Sequence, residues 1–213
     1  MSRPSTPPPS KRGRPVGFDR TEVLDRAMRV FWEKGFAATS MQDLIAAMGI
    51  ASPSLYAAFG SKANLYRAAV EHYVALHEDL VLRAIAMPTA RESVEALLRN
   101  AVTVFARTDF PSGCMVEQTA SEAGDMAPDV MTRLHDMRAA NHDNFSMRLR
   151  KGLEDGDVPE GADIEAVASF YATIHKGLSL SARGGTGTGE LSSVVTSAMA
   201  AWPVLTRPRE PRR

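Results

Sequence analysis

Between Ser40 and Leu65 (SMQDLIAAMGIASPSLYAAFGSKANL) the chain carries two very short apolar-patterned segments around one glycine, a combination few folds accommodate. Ser40 or Thr39 caps the first, with Asp43 or Gln42 placed to close a capping box. Met41, Leu44, Ile45 and Met48 then recur at i, i+3, i+4, i+7, which makes one apolar stripe. Gly49 can adopt the left-handed conformation that a tight helix exit needs. Ser52 reads as the cap of the second segment, with Pro53 at its first position, where a missing N–H costs nothing. Leu55 and Phe59 anchor that segment and leave Ser54, Ala57 and Ala58 outward. The pattern predicts a helix-turn-helix.

Asp19 or Thr21 can cap a preceding helix, whose stripe is Leu24, Ala27, Met28 and Phe31 before Gly35 and Phe36. With that helix in place, the stretch from Asp19 to Val74 resembles the amino-terminal domain of the TetR family of bacterial transcriptional regulators. The likeness runs through Thr39, Ser40, Ile45, Ala46, Gly49, Ile50, Leu55, Tyr56, Phe59, Ser61, Lys62 and Leu65. Three departures from the family pattern stand out. Ala51 stands where a hydroxyl cap is usual, Ala63 replaces a usual acid, and Ala57 and Ala58 replace a bulky polar pair on the recognition helix.

Charge is distributed as a protein with a DNA-facing end requires. The formal net charge is zero, but residues 1–70 hold 10 Lys/Arg against 5 Asp/Glu, and residues 71–202 hold 11 against 19. A basic front can touch phosphates while an acidic body stays off them. The amino terminus lacks an apolar signal core and no apolar run is long enough to span a bilayer, so the expected compartment is the cytoplasm, with no membrane partner. One cysteine excludes an internal disulfide and a cysteine zinc site.

The expected fold is all-α: a three-helix head with the helix-turn-helix, joined to a helical-bundle body, about nine helices in all. Residues 1–18 read as a disordered basic tail, 19–75 as the DNA-binding head, 76–202 as the ligand-binding and dimerisation body, and 203–213 as a second basic tail. The helix from Ser61 spans head and body. Turns fall at Asp109 to Gly113, Gly124 to Pro128, Gly156 to Gly161 and Gly184 to Gly189. The last helix has the cleanest stripe, Leu191, Val194, Val195, Ala198, Met199 and Trp202. The resemblance implies that the last two helices pair with a second copy as a four-helix bundle, which assigns Ile174, Leu178, Leu191, Val195, Met199 and Trp202 to a homodimer interface. The alternative is that these faces fill the core of one subunit.

The residues expected at double-stranded DNA are Thr39, Ser40, Gln42, Ser52, Pro53, Ser54, Tyr56 and Lys62. Gln42 can bond an adenine edge and Pro53 can touch a thymine methyl. Ser52 and Ser54 sit where free N–H groups favour an anion. Tyr56 offers a hydroxyl to the backbone, and Lys62 a mobile charge. Ser52 as a mere cap and Tyr56 as a packing residue are the competing assignments. Arg12 and Arg14, in Arg12-Gly13-Arg14-Pro15, resemble an AT-hook core, thin enough for a narrow minor groove; a generic phosphate-binding tail is the alternative.

Body methionines and aromatics suggest an adaptable interior, and the resemblance implies a small-molecule inducer there. Phe105, Cys114, Met131, Phe145, Tyr171 and His175 are the expected pocket residues. Cys114 at a helix start could instead be a redox thiol, activated by the helix dipole. His135 and His142 are too far apart along one helix to share an ion, and GGTGTG at Gly184 to Gly189 lacks the lysine of a phosphate loop, so neither metal nor cofactor is expected. A ligand-released repressor acting on a palindromic operator leads. An activator, a redox regulator, a helical adaptor and an enzyme on this fold compete, the last without any catalytic constellation of workable spacing.

Overall fold

The computed structural model describes residues 18–119 and 126–208. The amino-terminal tail with Arg12 and Arg14, the break at Gly124 and the last five residues lie outside them. All regular structure among the described residues is helical. The head comprises α1 (Arg20–Ala38), α2 (Met41–Met48) and α3 (Ser52–Phe59). The body follows with α4 (Lys62–Ile85), α5 (Ala90–Phe105), the single turn α6 (Met115–Gln118), α7 (Pro128–Asp155), α8 (Ile164–Arg183) and α9 (Thr188–Ala200), closed by a last turn, α10 (Trp202–Leu205).

Local chemistry accounts for the head. Asp19 caps α1, accepting from the Thr21 and Glu22 N–H groups. Gly35 interrupts α1 with φ 80° and ψ 171°, a conformation reserved for glycine, and this turns Phe36 inward onto Tyr66 at 5.2 Å between centroids. Ser40 and Asp43 form the expected capping box on α2, at 3.1 and 2.9 Å. Lys34 ties α1 to the same carboxylate at 2.8 Å. These bonds hold the Asp43 carboxyl far below the usual carboxylate range. Gly49 ends α2 in the left-handed region. Met28, Phe31, Leu44, Met48, Leu55 and Leu65 close around one another with almost no exposure.

Two expectations about the start of α3 and the end of the chain are corrected. Ser52 does not cap α3. The first full helical hydrogen bond runs from the Leu55 N–H to the Ala51 carbonyl at 3.1 Å, so Ala51 is the cap and brings no side-chain acceptor. The carboxyl-terminal tail also begins later than Pro203, because α10 folds back and buries Trp202 and Thr206.

The assigned dimer face requires a larger correction. Leu178, Leu191, Val195, Met199 and Trp202 are all buried within a single subunit, where α9 packs on α5 and α8. The stripe read from sequence held both Val194 and Val195; Val195 is 0% exposed and Val194 is 41% exposed, so most of it fills the core of one subunit, the alternative assignment. Of the predicted interface residues, Ile174 keeps an outward aspect, and it lies beside Phe170 and Val194 in a shallow apolar groove.

Candidate nucleic-acid interface and ligand cavity

The outward side of the head gathers most, but not all, of the predicted DNA contacts. Ser40, Gln42, Pro53 and Tyr56 are exposed, with Tyr56 at 48%, while Ser52 and Ser54 are half-buried at the start of α3. The free N–H groups expected there are largely absent, since Pro53 has none and the Ser54 and Leu55 N–H groups donate to the Ala51 carbonyl at 2.9 and 3.1 Å. Thr39 is displaced from this set. It is 1% exposed and its hydroxyl donates to the Gly35 carbonyl at 2.6 Å, so it stabilises the α1 kink. Lys62 is not the mobile charge expected, since its ammonium lies 4.4 Å from the Phe36 ring centroid. Sequence reasoning missed Arg20, whose guanidinium sits over Phe59 and donates to the Ala58 carbonyl, fixing the end of α3.

Behind the head, a cavity of about 110 Å³ lies among α4, α5, α7 and α8. Phe105, Cys114, Phe145 and His175 line it as expected, joined by Tyr73, His77, Leu97, Asn100, Val104, Asn141 and Asn144. Two predicted pocket residues do not reach it. Tyr171 is fully buried between α8 and α9, donating its hydroxyl to the Ala198 carbonyl at 3.2 Å, and Met131 packs on the core elsewhere. The missed asparagines and His77 gave no signal, because only tertiary packing turns them toward one space.

Burial governs the titratable groups in the cavity wall. The Cys114 thiol is pushed up to about 11, since desolvation outweighs its hydrogen bonds to Tyr73 and nearby backbone. The alternative of dipole activation finds no support: α6 has only four residues and the thiol is buried. Burial likewise drives His175 down to about 4 and lowers His77, so both imidazoles are neutral at pH 7.

The cavity wall and the head share residues. Tyr73 stacks edge-on against Trp32 of α1 at 4.8 Å. Phe110, in the loop before Cys114, lies 5.8 Å from the same indole and beneath the guanidinium of Arg29 at 3.9 Å. Arg183 at the end of α8 donates to the Trp32 and Glu33 carbonyls at 3.0 and 2.9 Å. The Cys114 N–H is in turn held by the Ser179 hydroxyl at 2.8 Å.

A helix-turn-helix with a polar outer face, seated on a helical body with a cavity, is the architecture of a DNA-binding regulator. The model of bacterial regulatory proteins of the tetR family matches residues 23–69, and that of the tetracyclin repressor-like C-terminal domain matches residues 90–199. The HTH-type transcriptional repressor ComR of Escherichia coli is 31% identical over 201 residues, 92% of this chain and 94% of ComR. The HTH-type transcriptional repressor BdcR of the same organism is 30% identical over 196 residues, 91% of this chain and 93% of BdcR. A cysteine-substituted form of the TetR-family regulator CifR, solved with 26-base-pair operator DNA, superposes with a TM-score of 0.84 at 41% identity, covering 89% of this chain and all of that one. The chain belongs to the TetR family. It is a DNA-binding transcriptional regulator that works as a homodimer on double-stranded DNA, and not an enzyme. No helix among the described residues is long and apolar enough to cross a membrane.

Proposed function

We propose that this chain is a cytoplasmic repressor that leaves a palindromic operator when a small molecule fills the cavity between α4, α5, α7 and α8. The observation that carries this reading is the contact between cavity and head: Tyr73 lines the cavity and packs edge-on against Trp32 of α1. Two copies pair through the outward side of α8 and α9, at Phe170, Ile174 and Val194. Pairing fixes the separation of the two α3 helices and thereby the spacing of the half-sites. Gln42, Pro53 and the first turn of α3 at Ser52 and Ser54 enter or border the major groove. Ser40, Tyr56 and Lys62 hold the phosphates. Arg12 and Arg14 reach the flanking minor groove. The repressor names of ComR and BdcR, and the operator complex of CifR, support the same assignment.

A filled cavity pushes on Tyr73 and on the loop carrying Cys114 and Phe110, and both press on α1. Repression is lost only to the extent that the ligand prefers the DNA-incompetent spacing. The raised Cys114 pKa favours this reading over a thiolate-based redox sensor. Selection of bound sequences from a random DNA pool tests the DNA half of the proposal: it should return a palindrome, and recovery of unrelated or unpaired sites would refute it.

A further inference from the structure

The cavity also constrains the chemistry of its occupant. Its volume, about 110 Å³, is smaller than the roughly 150 Å³ of an engineered apolar cavity that accepts benzene, so about six non-hydrogen atoms is an upper bound, and an occupant of that size needs the walls to yield a little. Among the described residues lining it there is no Asp, Glu, Lys or Arg. An ion placed there would lose its hydration without gaining a counter-charge.

The polar groups of the wall are mostly committed. The Asn100 amide donates to the Leu80 carbonyl at 3.1 Å, the Asn141 amide to Glu117 at 2.8 Å, and His77 Nδ1 pairs with the Tyr73 carbonyl at 2.8 Å. His175 is different. Its ring stands edge-on to Phe105 at 5.1 Å and to Phe145 at 6.3 Å, and its buried Nδ1 has no hydrogen-bond partner. Native proteins rarely leave such an atom unpaired, and because it is buried, a group in the adjoining cavity pairs with it after a small turn of the ring.

We infer that the cavity binds a small uncharged molecule with a compact hydrocarbon body and one hydroxyl or carbonyl group, and that this group pairs with His175 Nδ1. The inference rests on the cavity being the effector site proposed above. His175 is also held neutral by burial, so it offers a hydrogen bond and no charge to attract a carboxylate.

The test uses the full chain and four probes of equal heavy-atom count: cyclopentanol, cyclopentanone, cyclopentylammonium and cyclopropanecarboxylate, with binding followed by calorimetry. The alcohol should bind at least a hundredfold more tightly than either ion. The ketone accepts but cannot donate, so its affinity relative to the alcohol reports whether Nδ1 carries the proton. His175→Phe should weaken the alcohol about tenfold and leave methylcyclopentane unaffected. Ala101→Leu, which fills the cavity from α5, should abolish binding of every neutral probe. Circular dichroism checks that both variants fold, and if His175→Phe does not, His175→Gln replaces it. Ions binding as well as the alcohol, or no neutral probe binding, or an alcohol affinity indifferent to His175, would each overturn the inference. Operator binding read in parallel separates the two proposals. Neutral probes that bind without changing DNA affinity sink the effector role alone, whereas release by an ionic probe only sinks the ligand chemistry alone.

Discussion

Adjacent valines on α9 make opposite predictions. In Val195→Asp a carboxylate enters a site with 0% exposure, packed against α5. Losing the buried valine costs about 1.5–3 kcal/mol, and an unpaired buried charge adds several more. Against a typical total of about 5–15 kcal/mol, this should unfold the subunit or render it insoluble. Val194→Asp acts elsewhere. Val194 is 41% exposed in one subunit, so the isolated fold should change by no more than about 0.5 kcal/mol. At a paired interface the same change occurs twice, and a loss of ~3 kcal/mol would raise the dimer Kd more than about a hundredfold. Sedimentation velocity at micromolar concentration, with circular dichroism melts, distinguishes the cases. The expected pair is a helical, cooperatively melting Val194→Asp monomer and an unfolded Val195→Asp chain. A dimeric Val194→Asp beside a well-folded, monomeric Val195→Asp would refute both the burial argument and the interface.

Four other outcomes are expected. Ala51→Ser supplies the missing cap of α3 and should add about 1 kcal/mol, raising Tm by roughly 2–4 °C in a calorimetric scan. Because burial lowers His175 from 6.5 to about 4, its contribution to stability is complete above pH 6.5 and is lost as pH falls toward 4, by ~3 kcal/mol. Urea midpoints at pH 7.5 and pH 4.5 should therefore differ less in His175→Phe than in the wild type. Lys62→Ala should weaken all DNA sequences alike and reduce the salt slope by about one, while Gln42→Ala should relax preference at one base pair per half-site, as competition binding would record. Arg183→Ala removes the bonds from α8 to the Trp32 and Glu33 carbonyls, so ligand binding should persist while its effect on DNA affinity falls by about fivefold.

What could be read from sequence was local. The Ser40–Asp43 box, the Gly49 exit and the Leu55–Phe59 anchor depend on residues within one or two turns, and their spacing is sufficient to place the helix-turn-helix. Even there the α3 cap was misplaced by one residue, because Ser52 has the right chemistry while Ala51 has the right backbone. The stripe of α9 was legible but its partner was not, since an apolar face reads the same whether it meets α5 and α8 or a second copy, and only the packing shows Val195 buried and Val194 outside. Thr39 reads as a surface cap until the glycine kink four residues earlier brings a carbonyl to its hydroxyl. The cavity was half legible. Its aromatic and cysteine walls follow the helical stripes, but the pairing of Tyr73 with Trp32, and of Arg183 with carbonyls some 150 residues away, exists only in three dimensions.

The central claim is that cavity occupancy sets the affinity of the paired recognition helices for DNA. Its most direct test is fluorescence anisotropy on an operator taken from sequence selection, titrated with protein at increasing concentrations of a ligand shown by calorimetry to bind. The operator Kd should rise with ligand and plateau, about tenfold to a hundredfold above its starting value. The same ligand should bind the protein–DNA complex more weakly than the free protein by that same factor, as linkage requires. A ligand that saturates the cavity while the operator Kd stays constant would contradict the account.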